Sequence, residues 1–292
     1  MTATPVLLSP GEGETISDRA ERTVRILLDR EEVTVTRSRY EPGERGPDPH
    51  IHKRHADAFY VLEGELEFGL GGDRAGVRAP ARTLVLVPQG VVHTFGNESG
   101  ARAVFLNIHA PSMGFGESLR LRRDGRRYEA EEWDTFDPPP DGGRSPADVV
   151  VRGPGEGDAI TMGASQALFK AEGVDGEGTF SLTEVTLEPG FPGPLPHRHR
   201  THVDTFYVLA GVLTLSLDGR DVEAHAGSYA TVPPGNTHTF SNRSEETVRA
   251  LNLMTPGGFE QYLKEVARST AGGPPDPQAM AEIASRYDFE PV

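Results

Sequence analysis

Ten histidines occur in the chain, and eight of them fall in equivalent places of two similar segments. Around Pro49 the sequence reads PHIHKRHADAFYVLEGEL, and around Pro196 it reads PHRHRTHVDTFYVLAGVL. Further on, PQGVVHTFGN from Pro88 to Asn97 returns as PPGNTHTFSN from Pro233 to Asn242. Two residues apart on an extended chain, His50 and His52 point to one face, as do His197 and His199. An acid follows after four residues, Asp57 in one segment and Asp204 in the other. His93 and His238 leave a Pro/Gly turn and can approach from a neighbouring strand. Three imidazoles and a carboxylate that converge suit a divalent first-row metal with room left for an exogenous ligand. A lone interior histidine is ordinarily a hydrogen-bonded core group, but the doubling of the whole pattern favours metal.

The elements that must hold these residues read as β. Val33 to Thr36 is a β-branched run, Asp57 to Leu62 and Leu66 to Leu70 flank a turn at Glu63-Gly64, and Leu84 to Val87 and Val104 to Ile108 follow. Leu66, Phe68 and Leu70 alternate onto one face, and Leu213, Leu215 and Leu217 repeat the pattern. Helices are expected late, over Gly258 to Arg268 and behind an Asp276-Pro277 start with a stripe of Met280, Ile283, Ala284 and Tyr287; the first copy has only the fragment Phe115 to Leu121. The segment Asp134 to Pro146 is rich in Pro and Gly and lacks periodicity. It reads as a linker, dividing the chain into an N-terminal domain over 1–133, a linker over 134–146 and a C-terminal domain over 147–292.

Composition narrows the function. Hydrophobic residues are 36% and charged residues 25% of 292, ordinary for a globular protein, while 34 Gly and 24 Pro point to short strands joined by turns. A net charge of −15 repels phosphate backbones and anionic membranes, so no nucleic-acid or membrane partner is expected. The absence of cysteine excludes disulfides, thiolate metal sites and a cysteine nucleophile. No apolar stretch approaches a membrane span, and the first residues show no basic region followed by an apolar core, so a cytoplasmic protein is expected, as a monomer or a homodimer.

The motifs resemble those of the cupin superfamily, and the tandem arrangement resembles a bicupin. The first cupin motif is His-x-His, three or four residues, Glu, six residues, Gly. Here His50, His52, Asp57 and Gly64 fit that spacing, as do His197, His199, Asp204 and Gly211, with Asp in place of Glu both times. The second motif is met in full by Gly227, Pro233, Gly235, His238 and Asn242; Pro88, Gly90, His93 and Asn97 match it in the first copy, where Arg82 stands in the place of the first Gly. The resemblance implies an all-β chain of two tandem jelly-roll barrels. It implies up to one divalent transition metal per barrel (Mn, Fe, Ni, Co, Cu or Zn) on His50, His52 and His93 and on His197, His199 and His238, usually with the acid. Aspartate is one methylene shorter than glutamate, so Asp57 and Asp204 either bind the metal, act through a water, or stand free beside a three-histidine centre.

The activity this resemblance suggests is a quercetinase-like dioxygenase acting on a small enolisable or phenolic molecule. Asp57 or Asp204 would take the substrate proton, and Phe59, Val61, Phe95, Phe206, Val208 and Phe240 would wall the pocket, or else fill the barrel core. A non-catalytic binding bicupin, or a non-redox enzyme such as a sugar-phosphate isomerase or oxalate decarboxylase, is the alternative. Arg45, Lys53, Arg54, Arg198 and Arg200 are the basic residues an isomerase could use. His55 and His202 are read as surface residues first, with indirect support of the metal or backup ligation as alternatives. His109, replaced by Met254 in the second copy, is a candidate for the first pocket alone. Trp133 is read as a packing anchor between the modules.

Overall fold

The computed structural model describes residues 3–72, 75–271, 273 and 276–292. The chain forms two compact units, one of Gly13–Glu156 and one of Gly157–Val292 together with Met1–Glu12. They are termed here the first and second barrels.

In the first barrel a seven-stranded antiparallel sheet runs Val150–Arg152, Leu84–Val87, Ala56–Glu63, Ala103–Ala110, Thr34–Tyr40, Arg22–Asp29, Glu14–Asp18; a three-stranded sheet runs Ala75–Pro80, Glu65–Leu70, His93–Gly96. One core joins the two sheets. Phe59 and Phe105 from the large sheet meet Phe68 from the small one, with ring centroids of Phe59 and Phe68 5.0 Å apart. The alternation expected in Leu66, Phe68 and Leu70 is present, all three being buried. The second barrel repeats the plan, with seven strands in one sheet and five in the other. Leu213 and Leu215 are buried at its centre with Phe206, and Leu217 packs against that cluster. The architecture is that of tandem jelly rolls.

Among the described residues three α-helices accompany the strands. Phe115–Arg123 follows the last strand of the first barrel, and Glu260–Thr270 and Pro277–Arg286 follow that of the second. Asp276 caps the third helix by accepting from the Gln278 amide, as the Asp-Pro start predicts. No helix among the described residues is long and apolar enough to cross a membrane.

The domain boundaries differ from those expected. Val6–Leu8 pairs with Tyr229–Val232 and so belongs to the second barrel, while Val150–Arg152 pairs with Leu84–Val87 of the first. Both host strands are wholly buried, and each incoming strand hydrogen-bonds an edge that would otherwise stand open. Residues 134–146 are no free linker. Phe136 bridges Ile51, Gly143 bridges Val91, and Asp134 is fully buried in the first barrel. Composition marked this stretch as irregular, which it is, but irregular backbone can still be fastened by hydrogen bonds. Trp133, expected between the modules, packs its ring on Gly114 within the first barrel.

The turn glycines are used as expected. Gly64 has φ 73° and a Cβ there would overlap the Arg102 carbonyl oxygen; Gly43 has φ 81° and open space around it. Arg82 holds φ 70° where its counterpart Gly227 has φ 91°, so the first copy keeps the left-handed turn without the glycine. Gly64→Ala should therefore destabilise the first barrel by about 2–4 kcal/mol, and Gly43→Ala by about 1 kcal/mol, read by denaturant unfolding. Equal costs would mean that the close approach at Gly64 relaxes freely.

Candidate metal centres

The strands bring the two motifs together by direct pairing. His50 bridges His93, and His197 pairs with His238. In each barrel three imidazoles converge so that one nitrogen from each lies within 4.8 Å of the others: His50, His52 and His93, and His197, His199 and His238. All six are buried.

What fixes the rings is a main-chain carbonyl behind each one. Nδ1 donates from His50 to Asp48 O at 2.8 Å, from His52 to Asp134 O at 2.7 Å and from His93 to Val91 O at 3.0 Å. In the second barrel Nδ1 donates from His197 to Leu195 O at 2.9 Å, from His199 to Asp288 O, and from His238 to Asn236 O at 3.3 Å. A carbonyl can only accept, so each Nδ1 carries a proton and Nε2 is the nitrogen left facing inward, that of His238 onto Asp204 Oδ2. Nε2 of His52, His93 and His199 is buried with no hydrogen-bond partner. Orphaned lone pairs aimed at one point fit a cation, and a divalent transition metal takes such imidazole donors. The donor set thus fits the metal expected from sequence in both barrels.

A carboxylate stands beside each set of three imidazoles. Asp57 Oδ2 lies 3.4 Å from His93 Nε2 and 3.8 Å from His52 Nε2, while Oδ1 accepts from Asn107 Nδ2. Asp204 Oδ2 lies 3.1 Å from His238 Nε2 and 4.0 Å from His199 Nε2, and Oδ1 accepts from Asn252. Burial alone would raise both carboxyls; for Asp57 the neighbouring His109 and His93, and for Asp204 His238 and His199, outweigh it and hold them below the ordinary aspartate range.

Two acids that sequence reading passed over clamp the ligand loops. Besides its carbonyl on His52, Asp134 uses its carboxylate to accept from the Lys53 and Arg54 amides at 3.2 and 2.8 Å and from His55 Nδ1 at 2.8 Å. Asp288 does the same for the second loop, accepting from the amides of Arg200, Thr201 and His202 and from His202 Nδ1. The clue was an aromatic-Asp pair after each copy, Trp133-Asp134 and Tyr287-Asp288, which lies beyond the cupin motifs. His55 is therefore buried, not at the surface, and His202 is only slightly exposed.

The barrels differ in what covers the metal position. A cavity of ≈ 200 Å³ opens on the first, reaching His50, His52, Asp57 and Asn107, and His109 lines it as expected. Of the anticipated wall residues only Phe95 borders this cavity; Phe59 and Val61 lie in the core behind it. Phe206 and Val208 are likewise core, and Phe240 packs against them. The second centre is overlaid by aromatics: Phe289 stacks on His197 at 4.4 Å and Phe259 meets the His199 ring edge-on at 4.8 Å.

Two outcomes follow. Asp134→Ala should weaken metal binding in the first barrel by about 10–100-fold and leave the second barrel's affinity unaltered, measured by competition with a chelator. A drop in both affinities would mean general loss of folding. Burial, helped by His93, pushes His50 down to about 4, and burial with His238 and His199 pushes His197 down to about 3, from an ordinary 6.5. Their unfolded forms bind protons first, so the metal-free protein should lose stability steadily as pH falls from 6.5 towards 4. Flat unfolding free energies across that window would contradict the buried neutral rings.

Known proteins agree with this geometry. Residues 36–109 and 183–254 each match the family described as Cupin domain. Quercetin 2,3-dioxygenase of Bacillus subtilis (strain 168) is 24% identical over 94% of this chain and 90% of its own length. Among solved structures, Bacillus subtilis oxalate decarboxylase, a protein with Mn(II) centres, superposes with TM-score 0.59 at 16% identity, covering 88% of this chain and 79% of that one. Oxalate decarboxylase of Lactobacillus farciminis, as its formate complex, gives TM-score 0.61 at 13% identity over 90% and 91%. Matched twice by the family and carrying a histidine-rich metal-binding site in each jelly roll, the chain belongs to the cupin family, as a metal-dependent bicupin.

Proposed function

We propose that the protein is an oxidoreductase of the dioxygenase type, acting on a small enolisable or phenolic substrate at the centre of the first barrel. The observation that carries this reading is the cavity over that centre, which joins His50 and His52 of the centre, His109 and the Asp57 carboxylate to an aromatic wall of Tyr40, Phe95, Phe105 and Phe115. The likeness to a quercetin 2,3-dioxygenase over nearly the whole chain supports it. At ≈ 200 Å³ the space is smaller than the roughly 300–1,000 Å³ of sites for drug-sized ligands, which suits one ring or a short dicarbonyl.

His50, His52 and His93 would hold the metal. When bound, a redox-active divalent ion supplies the one-electron chemistry that lets O₂ react with an organic enolate. Asn107 pins Asp57 Oδ1, and Asp57 lines the cavity, so Oδ2 is the oxygen left to accept the proton of the substrate hydroxyl. The aromatic wall orients a flat substrate and excludes water around the enolate so formed. Charge favours the same substrate class, since one carboxylate and three neutral imidazoles leave a divalent centre with positive charge for an enolate to balance.

Four of the five cations named for a sugar-phosphate reading, Arg45 excepted, are engaged elsewhere, although Arg22 and Arg122 line the cavity. Arg54 pairs with Asp134 at 3.3 Å, Arg198 with Glu290 at 2.8 Å, Arg200 with Asp288 and Glu290 at 3.5 Å each, and Lys53 sits over the Phe136 ring.

Oxygen uptake by metal-loaded protein, screened over flavonols and smaller enols, tests the proposal. Asp57→Asn keeps the acceptor for Asn107 and should lower kcat by about 100-fold or more at unchanged metal content. A greater loss from Asp204→Asn than from Asp57→Asn would place the reaction in the second barrel. No uptake with any substrate would remove the dioxygenase reading, and CO₂ release from oxalate without uptake would replace it by decarboxylation.

A further inference from the structure

Two histidines of the first barrel have no part in the centre described above, yet they are built in the same way. His55 donates Nδ1 to the Asp134 carboxylate at 2.8 Å. His109 places Nε2 2.9 Å from Asn107 Oδ1, and the Asn107 amide nitrogen is committed to Asp57 Oδ1 and Ala58 O, so His109 Nε2 is the donor there. Both rings thus spend their proton outward. Their remaining nitrogens, His55 Nε2 and His109 Nδ1, then face each other at 3.0 Å as two lone pairs. A third lone pair, on His52 Nε2, is buried without a hydrogen-bond partner, and one nitrogen from each of His52, His55 and His109 lies within 4.8 Å of the others. Lone pairs brought this close repel unless a cation lies among them. A separation of about 3 Å is also that of adjacent nitrogens around an ion with bonds of about 2.1 Å.

We propose that the first barrel offers a divalent transition ion a second position, held by His52, His55 and His109. His52 has one inward lone pair and serves one ion at a time, so the second position is occupied in alternation with that of His50, His52 and His93. Phe115 stacks on the His109 ring at 3.5 Å and holds it in place from the side of the cavity. The second barrel has no such position among the described residues. Met254 stands where His109 does, directly across from Asp204 as His109 is from Asp57, and His202 is left with a buried, unpartnered Nε2. The ion therefore has two neighbouring seats in the barrel with the open cavity and one in the barrel overlaid by Phe289.

The test is cobalt titration of the full-length chain, read by equivalents bound and by ligand-field absorption. The unaltered protein should bind about two equivalents, one per barrel. His50→Ala/His93→Ala destroys the first seat but should still bind about two, with an altered first-barrel spectrum. Adding His109→Met, the residue the second barrel already uses there, should reduce binding to about one equivalent. If the double variant binds only the second barrel's ion, the His55–His109 pair holds a proton and the proposal fails. It fails equally if the triple variant still binds two. The second barrel's ion serves as the internal reference for that barrel, and circular dichroism checks that the first stays folded. Should the alanines disrupt the first barrel, His50→Gln/His93→Gln preserves side-chain bulk and carries the same expectation. Loss of all cobalt binding from the unaltered protein would refute the primary centres and this second seat together, whereas loss of the first-barrel ion in the double variant alone would refute only the second seat.

Discussion

The structure turns on a backbone acceptor placed behind each metal-facing histidine. An imidazole has one donor and one acceptor when neutral, and a carbonyl on Nδ1 decides which is which. Six such carbonyls, three per barrel, aim six lone pairs at two points. Orientation then no longer depends on the metal. The fold supplies this cheaply, because strand pairing of His50 with His93, and of His197 with His238, sets the rings side by side, and the adjoining loops supply the carbonyls. Burial favours the neutral, metal-binding form of His50, His52, His197 and His199, and Nε2 of His52, His93 and His199 is left with no partner in the protein.

Much of this was legible in the sequence because the cupin motifs are local. His-x-His on a strand, an acid further along it and a histidine after a Pro/Gly turn have spacings that β geometry converts directly into a face and a neighbour. Alternation in Leu66, Phe68 and Leu70 likewise specified a buried face. What escaped was non-local. Only the aromatic residue before Asp134, a pattern outside the cupin motifs, sets it apart within a Pro/Gly-rich segment, and it lies about 80 residues from the loop it clamps. The same holds for Val6–Leu8, whose partner strand begins at Tyr229. Phe59 and Val61 share the strand of Asp57 but pass below the cavity floor, since alternation tells which face a residue takes and not how deep along the barrel it sits.

The repeat separates what assembly requires from what differs by purpose. Both copies keep the three histidines, the aspartate, the asparagine that pins it (Asn107 or Asn252) and the clamp (Asp134 or Asp288). These are the parts that place a metal. The copies part company at His109 against Met254, where a hydrogen-bonding ring gives way to a soft, flexible thioether. They differ again in the covering groups. In the second barrel the C-terminal segment adds Glu290–Pro291 to the sheet beside His197, and that pairing brings Phe289 over the ring.

That last contact bears on which centre can turn over. A ligand reaching the second metal position past His197 must displace an aromatic ring that is fixed on both sides, since Phe289 also stacks on Tyr262 at 4.9 Å and its strand is hydrogen-bonded to that of His197. Moving it breaks sheet pairing as well as stacking. In the first barrel the ring nearest the site, Phe115, stacks on His109 and lines the cavity wall without closing it. The second metal position is thereby covered and the first left accessible, and the difference rests on a few side chains contributed by the segments that follow each last strand.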